Sequence, residues 1–153
     1  MTDQQLITTF YEAFANQDAE GMIACYADDI AFQDPAFGRL HGEDAKDMWR
    51  MLLSKKDAAP EVRLVDVSDD GTSADWWARY NYGPKRRPVI NEISASFVIK
   101  NGKITEHTDY FDLWKWSRQA LGLPGLLMGW SPFMRSKVQE TTREMLGRFQ
   151  GRK

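Results

Sequence analysis

Gly102-Lys-Ile-Thr-Glu-His-Thr-Asp-Tyr-Phe-Asp-Leu-Trp114 is the stretch on which the reading of this chain turns. It opens on an Asn101-Gly102 pair, a strong tight-turn signal, and continues as a β-rich run that predicts the second strand of a hairpin. Side chains alternate across a strand, so His107, Asp109, Phe111 and Leu113 share one face. A carboxylate on a face that is otherwise apolar is costly to bury. That cost raises its pKa and makes Asp109 a candidate proton carrier near neutral pH. The competing reading is an edge-strand Asp that caps a turn or pairs with a surface Arg.

Outward from that strand, the chain divides into two regimes. Thr2-Asp-Gln-Gln5 forms a capping box ahead of Leu6, Ile7, Phe10 and Phe14 at helical spacing. Asp18 caps a second helix through about Tyr26. Asp28-Asp29 turns the chain into a short strand, Ile30 to Gln33, which Asp34-Pro35 ends, and a brief extended piece follows at Arg39 to Gly42. Glu43 to about Lys55 is a third helix, acidic at its start and basic at its end as the helix dipole favours. After Pro60 the pattern becomes hairpin-linked strands: Val62 to Val67, Ala74 to Tyr82, Val89 to Lys100, and the strand through Asp109. Helices followed by a run of such strands predict an α+β fold rather than an alternating parallel one. Residues 120–134 are a Gly-punctuated apolar stretch, and Ser131-Pro132 then starts a final amphipathic helix. Residues 1–119 form the body of one domain, and residues 120–153 are its C-terminal extension, which packs on the core or serves as a lid or dimer contact.

A chain of 153 residues with 42% hydrophobic and 27% charged residues suits one globular domain. Six Trp and an aromatic share of 12% suit an apolar pocket or a broad interface. The single Cys25 excludes an internal disulfide and, on a helix, reads as a buried structural thiol. The opening Met1-Thr-Asp-Gln-Gln5 lacks the basic and apolar regions of a signal peptide and no apolar run is long enough to span a bilayer, so a cytoplasmic protein is expected. With two His and no clustered ligand spacing, neither a metal nor another cofactor is expected. Charge is uneven: residues 1–113 carry a balance of −8 and residues 114–153 one of +6. The basic tail is expected to rest on the acidic body of its own domain or of a second subunit rather than on nucleic acid, with peripheral membrane contact left open.

Three helices, a curved sheet, and the motifs Phe32-Gln-Asp-Pro35 and Gly102-Lys-Ile…Asp109-Tyr-Phe-Asp112 together resemble the nuclear transport factor 2-like superfamily over residues 3–125. That group includes SnoaL-type polyketide cyclases, ketosteroid isomerases and limonene-type epoxide hydrolases. The resemblance implies a cone-shaped curved antiparallel sheet packed on three N-terminal helices. It implies that Asp109 occupies the position of the epoxide hydrolase's water-activating Asp and of the SnoaL acid/base. The hydrolase's Arg-x-Asp falls on Arg79 and Asn81, so its proton-donating acid is missing, and its water-holding Tyr and Asn fall on Phe32 and Asp34. The isomerase's general base falls on Asp34, before Pro35, while its oxyanion-hole positions fall on Phe10, one residue from Tyr11, and on Ala95.

The expected catalytic set is therefore Asp109, Asp34, Arg79 and His107. Asp34 and Asp109 are two carboxylates in unlike environments, as acid/base work requires; Arg79 would hold Asp109 ionised, and His107 would relay a proton or bind substrate. For Asp34 an Asx-turn, for Arg79 an ordinary salt bridge, and for His107 a backbone-satisfied ring are the structural alternatives. Asn81, Phe32, Trp77, Phe97, Phe111, Phe10 and Phe14 are expected to line the substrate pocket. Trp76, Tyr80, Tyr82 and Trp114 are placed on other faces. The expected protein is a homodimeric, cofactor-independent enzyme performing isomerisation, cyclisation, hydration or elimination, or epoxide opening on a small apolar carbonyl or epoxide compound. Its rival is a module of the same fold that binds a hydrophobic ligand or dimerises without catalysis.

Overall fold

The computed structural model describes residues 1–54 and 60–151. Helix α1 (Asp3–Ala15) starts at the expected capping box: the Gln5 amide donates to Thr2 Oγ1 at 3.1 Å and the Thr2 amide donates to Gln5 Oε1 at 2.8 Å. Its buried stripe is Leu6, Ile7, Phe10, Tyr11 and Phe14. Helix α2 (Ala19–Ile23) follows its Asp18 cap, and Cys25 is buried just beyond it. Helix α3 (Glu43–Leu52) buries Met48 and Trp49, and its Arg50 binds Glu20, Glu43 and Asp47, tying α2 to α3. The expected end of α3, at Lys55, lies outside the described residues.

The strands are β1 (Tyr26–Asp34), β2 (Gly38–His41), β3 (Glu61–Val67), β4 (Ser73–Tyr82), β5 (Arg87–Lys100) and β6 (Lys103–Tyr110). They form one curved, unclosed sheet in the order β2-β1-β6-β5-β4-β3. Asn101 and Gly102 both take positive φ, 52° and 74°, which the two-residue turn between β5 and β6 requires. Two expectations change here. The sheet is mixed, because β1 pairs in parallel with β6. And β1 starts at Tyr26, running through Asp28-Asp29 with a register shift between Tyr26 and Ala31 instead of turning there.

Past β6, three helices complete the chain: α4 (Leu113–Leu121), α5 (Leu123–Met128) and α6 (Pro132–Phe149). Only α6 was anticipated from the sequence. Its Ser131 cap accepts from the Met134 amide, with Pro132 at the first helical position. Helix α4 shields the part of β5 that outruns β6: the Gln119 side-chain amide both accepts from the Ile90 amide, at 2.8 Å, and donates to its carbonyl, at 3.0 Å. That mimics a missing strand on an edge that would otherwise be open. Helix α6 straps the turn after β1, because Gln139, Thr142 and Arg143 donate in succession to the carbonyls of Pro35, Ala36 and Phe37.

Candidate active site

The parallel register of β1 on β6 assembles the site. Phe32 lies opposite His107 and Gln33 opposite Thr108, so the next step places Asp34 beside Asp109. Phe32 and His107 face the interior, and strand periodicity turns Asp34 and Asp109 to the same side. In sequence these carboxylates are far apart, and no hairpin relates them.

Asp109 is 5% exposed and His107 fully buried. His107 Nε2 is 2.9 Å from Asp109 Oδ1, its Nδ1 is 2.7 Å from the Tyr26 hydroxyl, and that hydroxyl accepts from Trp49 Nε1 at 2.9 Å. Only one proton arrangement satisfies every member. The indole N–H donates to the Tyr26 oxygen, Tyr26 O–H donates to Nδ1, and the remaining imidazole N–H, on Nε2, donates to an Asp109 carboxylate. With Asp109 protonated and Nδ1–H donating to Tyr26, the tyrosine proton would have no acceptor in this chain of contacts. The wire therefore runs from Trp49 to Asp109 and fixes His107 as a neutral ring. It occupies Asp109 Oδ1 and leaves Oδ2 without a hydrogen bond among the described residues.

Asp34 is held by its own turn: Oδ1 accepts from the amides of Ala36, at 3.0 Å, and Phe37, at 2.6 Å. The Asx-turn reading and the acid/base reading thus coexist in one residue. Burial, reinforced by the charge of Asp109, raises Asp34 from its ordinary 3.8 to about 7, with the two amide bonds opposing the rise. Because α6 fixes the three carbonyls of that turn, the C-terminal extension positions Asp34 although it contributes no group to the pair.

A consequence for stability follows. Unfolded, Asp34 loses its proton near 3.8, whereas folded it keeps it to about 7. The folded state binds the extra proton across that window, so stability falls as pH rises through it and levels off above. Asp34→Asn, which retains an acceptor for the turn, should match the wild type at about pH 4 and exceed it by roughly 2–4 kcal/mol at about pH 8. Denaturant titrations at the two pH values measure the difference, and parallel curves would mean that Asp34 is not desolvated.

Two tyrosines surround the carboxylates. The Tyr11 hydroxyl is buried with no hydrogen-bond partner among the described residues, and burial and then the charge of Asp109 push its pKa well above 10. The Trp76 indole N–H beside it also lacks a well-aligned partner; its weak polar contact with the Tyr11 oxygen opposes that rise, the two rings lie 5.6 Å apart, and the Tyr11 O–H stays free to donate. Tyr80 accepts from Trp116 Nε1 at 2.7 Å and is raised to about 12 by burial, with Asp34 adding to the rise.

Of the expected residues, the fold brings together Asp34, His107 and Asp109 and leaves out Arg79. Arg79 and Asn81 are exposed on the outer face of β4 and Trp77 is half-buried there, so none of the three faces the carboxylates. The inward positions of β4 are Ala74, Trp76 and Ala78, with the half-buried Tyr80 in the same phase. Pairing confirms the phase: Ala74 aligns with Ala95, which aligns with Asp109. Trp76, Tyr80 and Tyr82, expected elsewhere, belong to the interior side. Phe10, Phe32 and Phe97 are buried in the core. They pack directly on the His107 ring, with centroids 5.5, 5.1 and 4.6 Å away. Phe14 packs on Trp49 and Trp76, and Phe111 is buried in the same core. Two open surface hollows, one along α6 and one beside Ile23 and Lys46, have neither Asp34 nor Asp109 in their walls. Among the described residues, no group of three or more His, Cys, Asp or Glu is placed to hold a metal ion.

Tyr26, Trp49 and Tyr11 escaped the sequence reading as site residues. Tyr26 has the same parity as Ile30, Phe32 and Asp34, a signal hidden by starting the strand four residues late.

Comparison with known proteins agrees with this fold. The SnoaL-like domain family matches residues 7–107. Among solved structures, a candidate polyketide cyclase from Xanthomonas campestris is 24% identical over 77% of this chain and 98% of its own, with a TM-score of 0.59. A limonene epoxide hydrolase-like enzyme from Mycobacterium tuberculosis is 23% identical over 82% of this chain and 94% of its own, with a TM-score of 0.64. A protein of ketosteroid isomerase-like fold from Catenulispora acidiphila is 20% identical over 86% of this chain and all of its own, with a TM-score of 0.61. No curated protein sequence matches the chain. These likenesses fall on a common cone, and with most of its length matched to that domain, the chain belongs to the SnoaL-like family.

Proposed function

We propose that the protein is a cofactor-independent acid/base enzyme acting on a small apolar carbonyl or epoxide compound. The observation that carries this reading is the pair of neighbouring carboxylates, Asp109 buried and Asp34 half-buried, on the aromatic side of the sheet with unlike hydrogen-bond partners. Asp109 is fixed as a carboxylate by His107, with Oδ2 uncommitted, and Asp34 retains its proton to about 7. One is suited to take a proton and the other to give one, which is the division of labour that isomerisation, cyclisation and elimination need. The unpartnered Tyr11 hydroxyl supplies a donor for the oxygen on which charge develops. Leaving that donor unpaired in the core costs about 1–3 kcal/mol, a cost that a bound acceptor would remove. Arg79 has no part in this scheme, because it lies on the other face of the sheet.

The test is proton exchange into apolar ketones in heavy water, followed by mass spectrometry, alongside opening of apolar epoxides in labelled water. Exchange is expected to depend on a group titrating near 7 and to lose that dependence in Asp34→Asn. A second reading draws on the aromatic rings packed against His107: a module that binds a hydrophobic ligand without turning it over. Saturable ligand binding, with no exchange or opening across the panel, would establish that reading instead.

A further inference from the structure

Helix α5 exposes what an ordinary surface helix buries. Gly125 and Gly129 form its inward side, packed so closely on α4 that a Cβ on Gly125 would clash with the Ser117 carbonyl oxygen. A Cβ on Gly129 would meet the Ser117 Cβ at 2.7 Å. With the glycines inward, Leu123, Leu126, Leu127, Met128, Trp130 and Phe133 are turned to solvent, each between 44% and 69% exposed. A continuous run of such residues is not incidental surface. The indole N–H of Trp130 already donates to the Leu127 carbonyl at 2.9 Å, so its ring can enter an apolar phase without stripping an unpaired donor of water.

The surroundings of this apolar ridge are basic. Residues 113–139 contain Lys115, Arg118, Arg135 and Lys137 and no carboxylate. Arg118 stacks on Trp114 at 4.6 Å, and Trp114 donates to the Leu126 carbonyl, which places that guanidinium at the ridge. On the other side, the Arg87 guanidinium abuts Gly122 and donates to the Gln119 carbonyl, with Lys85 and Arg86 exposed just before it at the tip of the β4–β5 hairpin. Of these cations Lys115 is partly spent on Glu92, at 3.6 Å.

We propose that α5 and the start of α6 form a docking surface for an anionic lipid bilayer, with the ridge inserted at the headgroup boundary and the flanking Arg and Lys on lipid phosphates. Aromatic and leucine side chains rimmed by cations are the chemistry that such an interface recognises. Among the described residues no helix is long and apolar enough to cross a membrane, and the proposed contact is a surface one. Pairing of the ridge with itself in a two-fold dimer would set basic rims against each other, which disfavours a second copy as the occupant. The inference is independent of the chemistry at Asp34 and Asp109.

Vesicle co-sedimentation tests it, using phosphatidylcholine with and without phosphatidylglycerol. The full chain should sediment with the anionic vesicles, at least tenfold more weakly in high salt, and at least tenfold more weakly as Trp130→Glu/Phe133→Glu or Lys85→Glu/Arg86→Glu. Both variants change exposed positions, and thermal melts and analytical ultracentrifugation confirm that they are folded. Absence of sedimentation with anionic vesicles, equal binding to neutral ones, or variants that abolish only self-association would each overturn the proposal.

Discussion

Asp109→Asn is expected to lower turnover by about 100- to 10,000-fold, the usual worth of a positioned acid/base group, while leaving the protein folded. The side-chain amide still offers an oxygen to His107 Nε2–H, so the wire from Trp49 through Tyr26 to His107 keeps its acceptor. What disappears is the basic Oδ2, the one oxygen of that carboxylate without a committed partner among the described residues. Asn at this position also lacks the charge that helps to raise Asp34, so the pH dependence of any residual activity should move down from about 7. The measurement is the exchange assay paired with a thermal melt. Wild-type exchange in the folded variant would remove Asp109 from the chemistry and reduce the pair to a structural feature.

Tyr26→Phe carries the largest expected loss of stability. Its hydroxyl serves two buried partners at once, donating to His107 Nδ1 and accepting from Trp49 Nε1. Deleting it orphans an acceptor and a donor in a fully enclosed aromatic cluster, where no water replaces them. About 2–4 kcal/mol should be lost, roughly 5–15 °C in melting temperature for a domain of this size. Tyr110→Phe is the control, because that hydroxyl belongs to a ring 68% exposed, and it should change little. Equal, small shifts in both variants would mean that the wire contributes no net stability. Because the imidazole would also lose its fixed tautomer, Tyr26→Phe should slow exchange beyond what its melting point explains.

The exposed ridge on α5 bears on the same interior, since α4 lies between them. Trp116 reaches Tyr80 with its indole N–H and stacks edge-on against Tyr82, 5.0 Å between centroids, while Ser117 backs the glycines of α5. The three C-terminal helices thus join two features that the sequence separated into a domain body and an appended tail.

Much was legible in the chain before any fold was drawn. The capping box at Thr2 and Gln5, the Asn101-Gly102 turn, the Ser131-Pro132 helix start and the parity of His107 with Asp109 depend on neighbours a few residues apart. Local hydrogen bonding and the alternation of strands determine them, and they suffice for an α+β fold and for Asp109 as a candidate, whereas the cone was implied by the resemblance to the nuclear transport factor 2-like superfamily. Where a strand carries aromatics on both faces, alternation cannot say which face is inward. β4, with Trp76, Trp77, Tyr80 and Tyr82, is such a strand: its sequence permits Arg79 and Asn81 to face inward, and pairing with β5 puts them outside. The parallel contact of β1 with β6 joins segments about seventy residues apart with no turn to announce it. Only the tertiary structure could therefore place Asp34 beside Asp109 and gather Tyr26, Trp49 and Tyr11 around them. Those contacts are made by burial in a shared core, a long-range free-energy balance that no local pattern encodes.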